Sequence, residues 1–135
     1  MPAHAVVGLK PGLEARPLLD LTRDVVDDAG TIHLVSLVVV GTDEDERERL
    51  GAERHRLDAV AEGLRGEGFQ TKVTVQISTA VGLGTELTNL AESDEADLLV
   101  IGLAKRSRVG KALMGSDAQS ALMHATCPVL TLRLT

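Results

Sequence analysis

A chain of 135 residues with 44% apolar and 25% charged residues has the length and composition of one globular domain, so residues 1–135 are read as a single unit. A formal net charge of -6 and a single aromatic residue, Phe69, offer neither the basic footprint nor the stacking platform of a nucleic-acid binder. No apolar run approaches a bilayer span, no secretory signal pattern opens the chain, and the single cysteine, Cys127, excludes an internal disulfide framework; a cytoplasmic protein is expected.

Ala5–Leu9 predicts a short strand. Leu13–Ala29 predicts a helix with Leu18, Leu21, Val25 and Ala29 on one face, Pro17 in its first turn and Gly30 as its stop. Ile32–Val40 is almost continuously apolar and predicts a second strand. Thr42 and Asp45 have capping-box spacing before a helix running to about Glu67, whose stripe is Leu50, Leu57, Ala61 and Leu64. Thr71–Ile77 alternates strictly, with Val73, Val75 and Ile77 against Lys72, Thr74 and Gln76. A helix over Gly84–Ser93, an apolar strand over Leu98–Ile101, a helix over Ser116–Ala125 and a strand over Val129–Leu134 complete the chain.

Continuous apolar runs fit strands covered on both faces, and alternating ones fit edges. With right-handed crossovers, this predicts an α/β fold: a single open parallel five-stranded sheet, order 3-2-1-4-5, helices on both faces, Rossmann-like. In that order the chain reverses direction between strands one and four, and ligands of open α/β sheets bind outside the carboxyl ends of the strands at such a point. Lys10 and Gly102 leave strands one and four there. The loop after Gly102 carries Lys105, Arg106, Arg108 and Lys111, a local reversal of the chain's charge, and ends at Gly115-Ser116. Helix N–H groups and their dipole at that point favour an anion, most simply a phosphate. Ser116 followed by Gln119 equally satisfies a capping box, so both roles stay open for it.

Three segments carry a family resemblance. ADLLVIG (Ala96–Gly102), CPVLTLR (Cys127–Arg133) and the series Gly102, two residues, Lys105, nine residues, Gly115-Ser116 resemble the universal stress protein family. Nucleotide-binding members of that family carry G-x-x-G, nine residues, then G-[ST]. The resemblance follows the whole chain in element order and is specific in its last third. It implies an adenine nucleotide alpha hydrolase-like fold, a stress-response regulator that is not an enzyme, and ATP, AMP or phosphate as ligand. The candidate nucleotide- or phosphate-binding residues, from this resemblance and from the charged loop together, are Lys10, Val38, Gly102, Lys105, Arg106, Gly115 and Ser116. It also implies a homodimer through the fifth strand and an unidentified protein partner.

The departures fall on the binding site. Lys10 stands where nucleotide-binding members usually have an aspartate that contacts the adenosine part. Lys105 replaces the second motif glycine, where backbone approaches phosphate closely. After Gly115-Ser116 come Asp117, which repels phosphate, and Ala118, which lacks the hydroxyl often found there. Together they predict a degenerate nucleotide or anion site on a dimeric interaction module. The alternative is an adenine nucleotide-binding stress protein using the crevice between strands one and four.

Catalytic signals are weak. His33 lies inside an apolar strand and reads as a satisfied core or sheet-face residue, His55 sits off the stripe of its helix, and His4 is near a terminus. His124 and Cys127 have i,i+3 spacing without a second pair to complete a metal site. Cys127 before Pro128 reads as a small structural residue, a reactive thiol needing an exposed electropositive setting. Gly82-x-Gly84 lacks the third glycine of a dinucleotide fingerprint, and Gly110-Lys111-Ala112 is not a P-loop. No Ser-His-Asp set follows from spacing, so neither enzyme nor metal centre is expected. The last strand places Leu130, Leu132 and Leu134 on one face and Val129, Thr131 and Arg133 on the other. With only Pro128 and Arg133 to protect it, Val129–Arg133 is expected to pair antiparallel with its copy.

Overall fold

The computed structural model describes residues 2–11, 14–38, 46–78, 82–104 and 116–134. In chain order these form β1 (His4–Leu9), α1 (Arg16–Val25), β2 (Thr31–Val38), α2 (Glu46–Gly66), β3 (Gln70–Ile77), α3 (Leu83–Ser93), β4 (Leu98–Ala104), α4 (Ser116–His124) and β5 (Val129–Leu134). The strands make one parallel sheet in the order β3-β2-β1-β4-β5, as their patterns predict. Burial explains the order: β2 is buried from Ile32 to Val38, whereas β3 keeps exposed positions at Gln70, Lys72 and Gln76 along an edge.

Alternation of side chains along β1 and β2 divides the core in two. Ala5, Val7, Leu9, Ile32 and Leu34 pack with Leu18, Leu57, Ala61 and Leu64 on the α1 and α2 side. Val6, Val35 and Leu37 face the other way and pack with Ala91, Ile101, Ala118 and Ala121 on the α3 and α4 side. Gly8 belongs to the second face. A Cβ there would stand 2.8 Å from Leu87 Cδ1, so the glycine lets α3 approach β1 near its carboxyl end.

Two predicted elements are corrected. The first helix ends at Val25, not Ala29, with Pro17 in its first turn as expected. Val26 is extended and buried, Asp27 N–H bonds the Pro2 carbonyl at 2.8 Å, and Ala29 sits exposed with φ 62 in a turn. The turn delivers Thr31 N–H to the Ala3 carbonyl at 2.9 Å, so pairing of β2 with the start of β1 overrides the helical period. The buried face of α1 is accordingly Leu18, Leu19 and Thr22, with Leu21 and Val25 half-buried; Gly30 stops no helix. The second correction is β4, which runs past Ile101 to Ala104 because it pairs with β5 as far as Ala104↔Leu134. Val39, Val40 and the capping box of Thr42 and Asp45 lie outside the described residues.

In α2, Leu57, Ala61 and Leu64 are fully buried as the stripe predicts, Leu50 is half-buried, and Glu53 joins the buried face. Gly82 precedes α3 with φ 97, a backbone conformation that side chains disfavour. Turn geometry therefore explains this glycine of the Gly82-x-Gly84 pair, and a dinucleotide contact is not needed.

Candidate functional site

The sheet order puts the reversal between β1 and β4, and ligands of open α/β sheets bind outside the carboxyl ends of the strands at such a point. Leu9 pairs with Ser36 and Gly8 with Ile101, so Lys10, Val38 and Gly102 come out on the same edge of the sheet. Lys10 is exposed. Val38 is fully buried and its carbonyl accepts the Ser78 N–H at 2.9 Å. Gly102 is half-buried and pairs with Leu132 of β5. Ser116 opens α4. Lys105, Arg106 and Gly115, with Arg108 and Lys111, lie outside the described residues.

Beside Lys10 stands a polar group that the sequence reading missed. The Ser36 hydroxyl, fully buried in β2, donates to Glu53 Oε2 at 2.5 Å. Arg56 grips the same carboxylate through Nε to Oε1 at 2.8 Å and Nη2 to Oε2 at 3.0 Å. Nη2 also donates to the Lys10 carbonyl at 3.2 Å. Burial by itself would raise the Glu53 pKa, but the hydrogen bonds from Arg56 and Ser36 outweigh it and hold the carboxyl below its ordinary range. A bidentate arginine–carboxylate pair is planar and directional, so Glu53 orients Arg56 within α2, and the Arg56 bond to the Lys10 carbonyl fastens the helix to the exit of β1. One signal was present in the sequence: Leu50, Glu53 and Leu57 follow the i, i+3, i+7 spacing of an apolar stripe, which puts a carboxylate on the core side.

The histidines separate into two kinds. His55 and His124 are exposed, and His124 Nδ1 lies 2.9 Å from the Ser120 carbonyl. His33 is buried and satisfied as predicted, with Nδ1 at 2.9 Å from Asp94 Oδ2 and Nε2 at 2.7 Å from Thr74 Oγ1. His4, which its position near the terminus left without a role, is half-buried against the same Asp94 oxygen. Lys72 Nζ binds the other carboxylate oxygen. Burial would raise the Asp94 pKa; hydrogen bonds from Lys72 and His33 and the charges around it bring it down to about 2. Burial pushes the His33 pKa down against the pull of Asp94, which keeps the ring neutral at neutral pH. Contacts between residues 61 and 90 positions apart leave no trace in local periodicity. Cys127 packs half-buried against the second core, and burial followed by the Asp97 charge pushes its thiol pKa up, away from a reactive thiolate.

A doubly wound parallel sheet whose strand order reverses between β1 and β4 defines a Rossmann-like α/β protein. The sequence pattern of the universal stress protein family matches residues 11–133. The chain belongs to the universal stress protein family. It is 31% identical over 118 residues to universal stress protein G of Shigella flexneri, covering 81% of this chain and 82% of that one. It is 41% identical over 63 residues to a universal stress protein of Mycolicibacterium smegmatis, spanning 45% of this chain and 48% of the relative, about half its length. Among solved structures, the universal stress protein from Archaeoglobus fulgidus shares the fold with a TM-score of 0.71 at 21% identity, covering 97% of this chain and 98% of that one. The A. fulgidus protein in complex with dAMP gives 0.64 at 19% identity over 94% of both chains. A universal stress protein in complex with cAMP gives 0.63 at 17% identity over 99% of this chain and 98% of that one. No helix among the described residues is long and apolar enough to cross a membrane.

Proposed function

We propose that this chain is a cytoplasmic stress-response regulator that acts as a dimeric module without catalysis, and that its switch-point crevice is a degenerate nucleotide site that takes a phosphate-bearing anion. The observation that carries the reading is Lys10, exposed where the chain leaves β1. An ammonium offers donors only, where nucleotide-binding relatives usually present a carboxylate acceptor to the adenosine part. Lys105 in place of the second motif glycine and Asp117-Ala118 after Gly115-Ser116 act in the same direction. Lys105 and Arg106, with Gly115 and Ser116 leading into α4, still supply the cations and N–H groups an anion needs. The second reading, ATP or AMP binding between β1 and β4, is favoured by the dAMP and cAMP complexes of proteins with this fold.

Calorimetry with ATP, AMP and inorganic phosphate separates the two. A degenerate site is expected to bind phosphate-bearing ligands only in the millimolar range and more weakly as salt rises, since exposed charges are screened over roughly 8–10 Å at physiological ionic strength. Changing Lys10→Asp together with Lys105→Gly is expected to raise ATP affinity at least about tenfold, or ~1.4 kcal/mol. Micromolar ATP binding by the native chain selects the second reading, and absence of heat with every ligand removes the anion site.

The dimer rests on β5, which ends the sheet. Leu130 and Leu132 pack against the first core and Val129 against the second, so the strand is anchored on both faces while its outer edge is left to a partner. Light scattering at tens of micromolar is expected to give the mass of two chains (roughly the range in which a specific dimer persists). Thr131→Pro, which deletes one N–H of the strand, is expected to shift the mass toward one chain. A native monomer at that concentration defeats the dimer.

A further inference from the structure

The cluster around Asp94 lies at the amino edge of the sheet, away from the switch-point crevice, and has the composition of a metal site. His4 opens β1, and Val6 of that strand pairs with His33, so by alternation His4 and His33 project on one face, the α3 side. Asp94 caps α3 at its carboxyl end, where its N–H bonds the Leu90 carbonyl at 2.9 Å. Its Oδ2 faces both His4 Nε2 and His33 Nδ1. The three ligating atoms lie within 4.8 Å of one another, and among the described residues no other group of three His, Cys, Asp or Glu side chains closes in this way.

We propose that His4, His33 and Asp94 bind a borderline divalent cation of the zinc class. Two imidazoles and one carboxylate are the ligand set of such ions, whereas calcium and magnesium prefer all-oxygen sites. With metal–ligand bonds of 2.0–2.1 Å, tetrahedral neighbours stand about 3.3 Å apart. The 2.9 Å between His33 Nδ1 and Asp94 Oδ2 therefore needs only a small opening, and the closer His4 Nε2 must move further, a shift that falls on the more exposed ligand at the start of β1. Without an ion, each ring nitrogen facing Oδ2 carries a proton and donates it to the carboxylate. Metal binding needs those lone pairs, so each ring moves its proton to the other nitrogen. For His33 that nitrogen already faces the Thr74 hydroxyl, which can accept as well as donate, so the ring is held in either tautomer.

The surroundings favour a cation at Oδ2. The carboxyl end of α3 directs its dipole's negative pole at the site. Lys72 occupies Oδ1, so it orients the carboxylate and leaves Oδ2 to the metal, while its positive charge lowers affinity. The side chains of His33 and Asp94 are 5% and 10% exposed and that of His4 22%, so the ion enters past His4, where water completes the coordination.

Zinc titration of the full chain, first stripped with a chelator, tests the site. One Zn²⁺ per chain with a dissociation constant of about a micromolar is expected. Co²⁺ should give the absorption of a four-coordinate nitrogen and oxygen site. His4→Gln should weaken binding at least about tenfold, and Lys72→Met should strengthen it by removing a like charge. NMR of the native chain should show zinc moving the ring signals of His4 and His33, a readout that does not depend on any variant folding. No binding at about a hundred micromolar zinc, unchanged affinity in His4→Gln, or ring shifts confined to His55 and His124 would overturn the site and leave a hydrogen-bonded cluster.

Discussion

Replacing Asp94 with alanine is expected to lower the unfolding free energy by about 3 kcal/mol, the upper end for leaving a buried donor unsatisfied. One carboxylate holds three partners: His4 and His33 on Oδ2 and Lys72 on Oδ1. Its removal leaves the His33 ring without a partner at Nδ1 while that side chain is only 5% exposed, and a buried donor without an acceptor costs more than the bond itself contributed. Lys72 is half-exposed and recovers water, which keeps the loss from rising further. For a chain of 135 residues the change corresponds to about 10 °C in melting temperature. Urea denaturation followed by circular dichroism, with the native chain and Asp94→Asn alongside, measures it. The asparagine variant keeps an acceptor for His33 and should fall between the two. A loss under about 1 kcal/mol would mean that the histidines and lysine find equal partners elsewhere, and the view of Asp94 as the hub of this edge would fail.

Leu57→Ala is the second large effect, at about 3 kcal/mol within a usual range of roughly 2–5 for buried leucines. Leu57 is fully buried in the first core and lies midway along α2, between Glu53 and Ala61 on the face that meets the sheet. Truncation removes its apolar transfer term and leaves a cavity bounded by rigid strands, which cannot collapse far. Leu50, half-buried on the same helix, should lose much less on the same change. The denaturation midpoint should fall with the slope unchanged, the sign of altered stability without altered compactness. Because α2 carries Glu53 and Arg56, a looser helix should also weaken the bond from Arg56 to the Lys10 carbonyl, so any anion binding at the crevice should decline with it. Equal losses in Leu57→Ala and Leu50→Ala would contradict the assignment of the buried face.

The strand order was legible in the residues because burial writes itself into composition. A strand covered on both faces, such as Ile32–Val38, has few polar positions to fill, whereas an edge such as β3 alternates. The reversal point between β1 and β4 followed from that order, and the family segments at Ala96–Gly102 and Cys127–Arg133 led to the same fold. Element ends were less legible. Val25 and Ala29 keep the helical period, yet α1 stops at Val25 because the backbone of Val26–Gly30 is needed for a turn that brings Thr31 to Ala3.

Periodicity tells which face a residue occupies and is silent on what stands opposite. The sequence by itself therefore determined the sheet, its reversal point and the buried state of His33. Only the tertiary structure decided that Glu53 meets Ser36 and Arg56, and that His4, His33 and Lys72 converge on Asp94. Glu53 and Arg56 are one helical turn apart on α2, but Ser36 comes from β2, and His4, His33, Lys72 and Asp94 come from four separate elements; their meeting depends on strand register and on where α3 ends, quantities set by packing of the whole sheet.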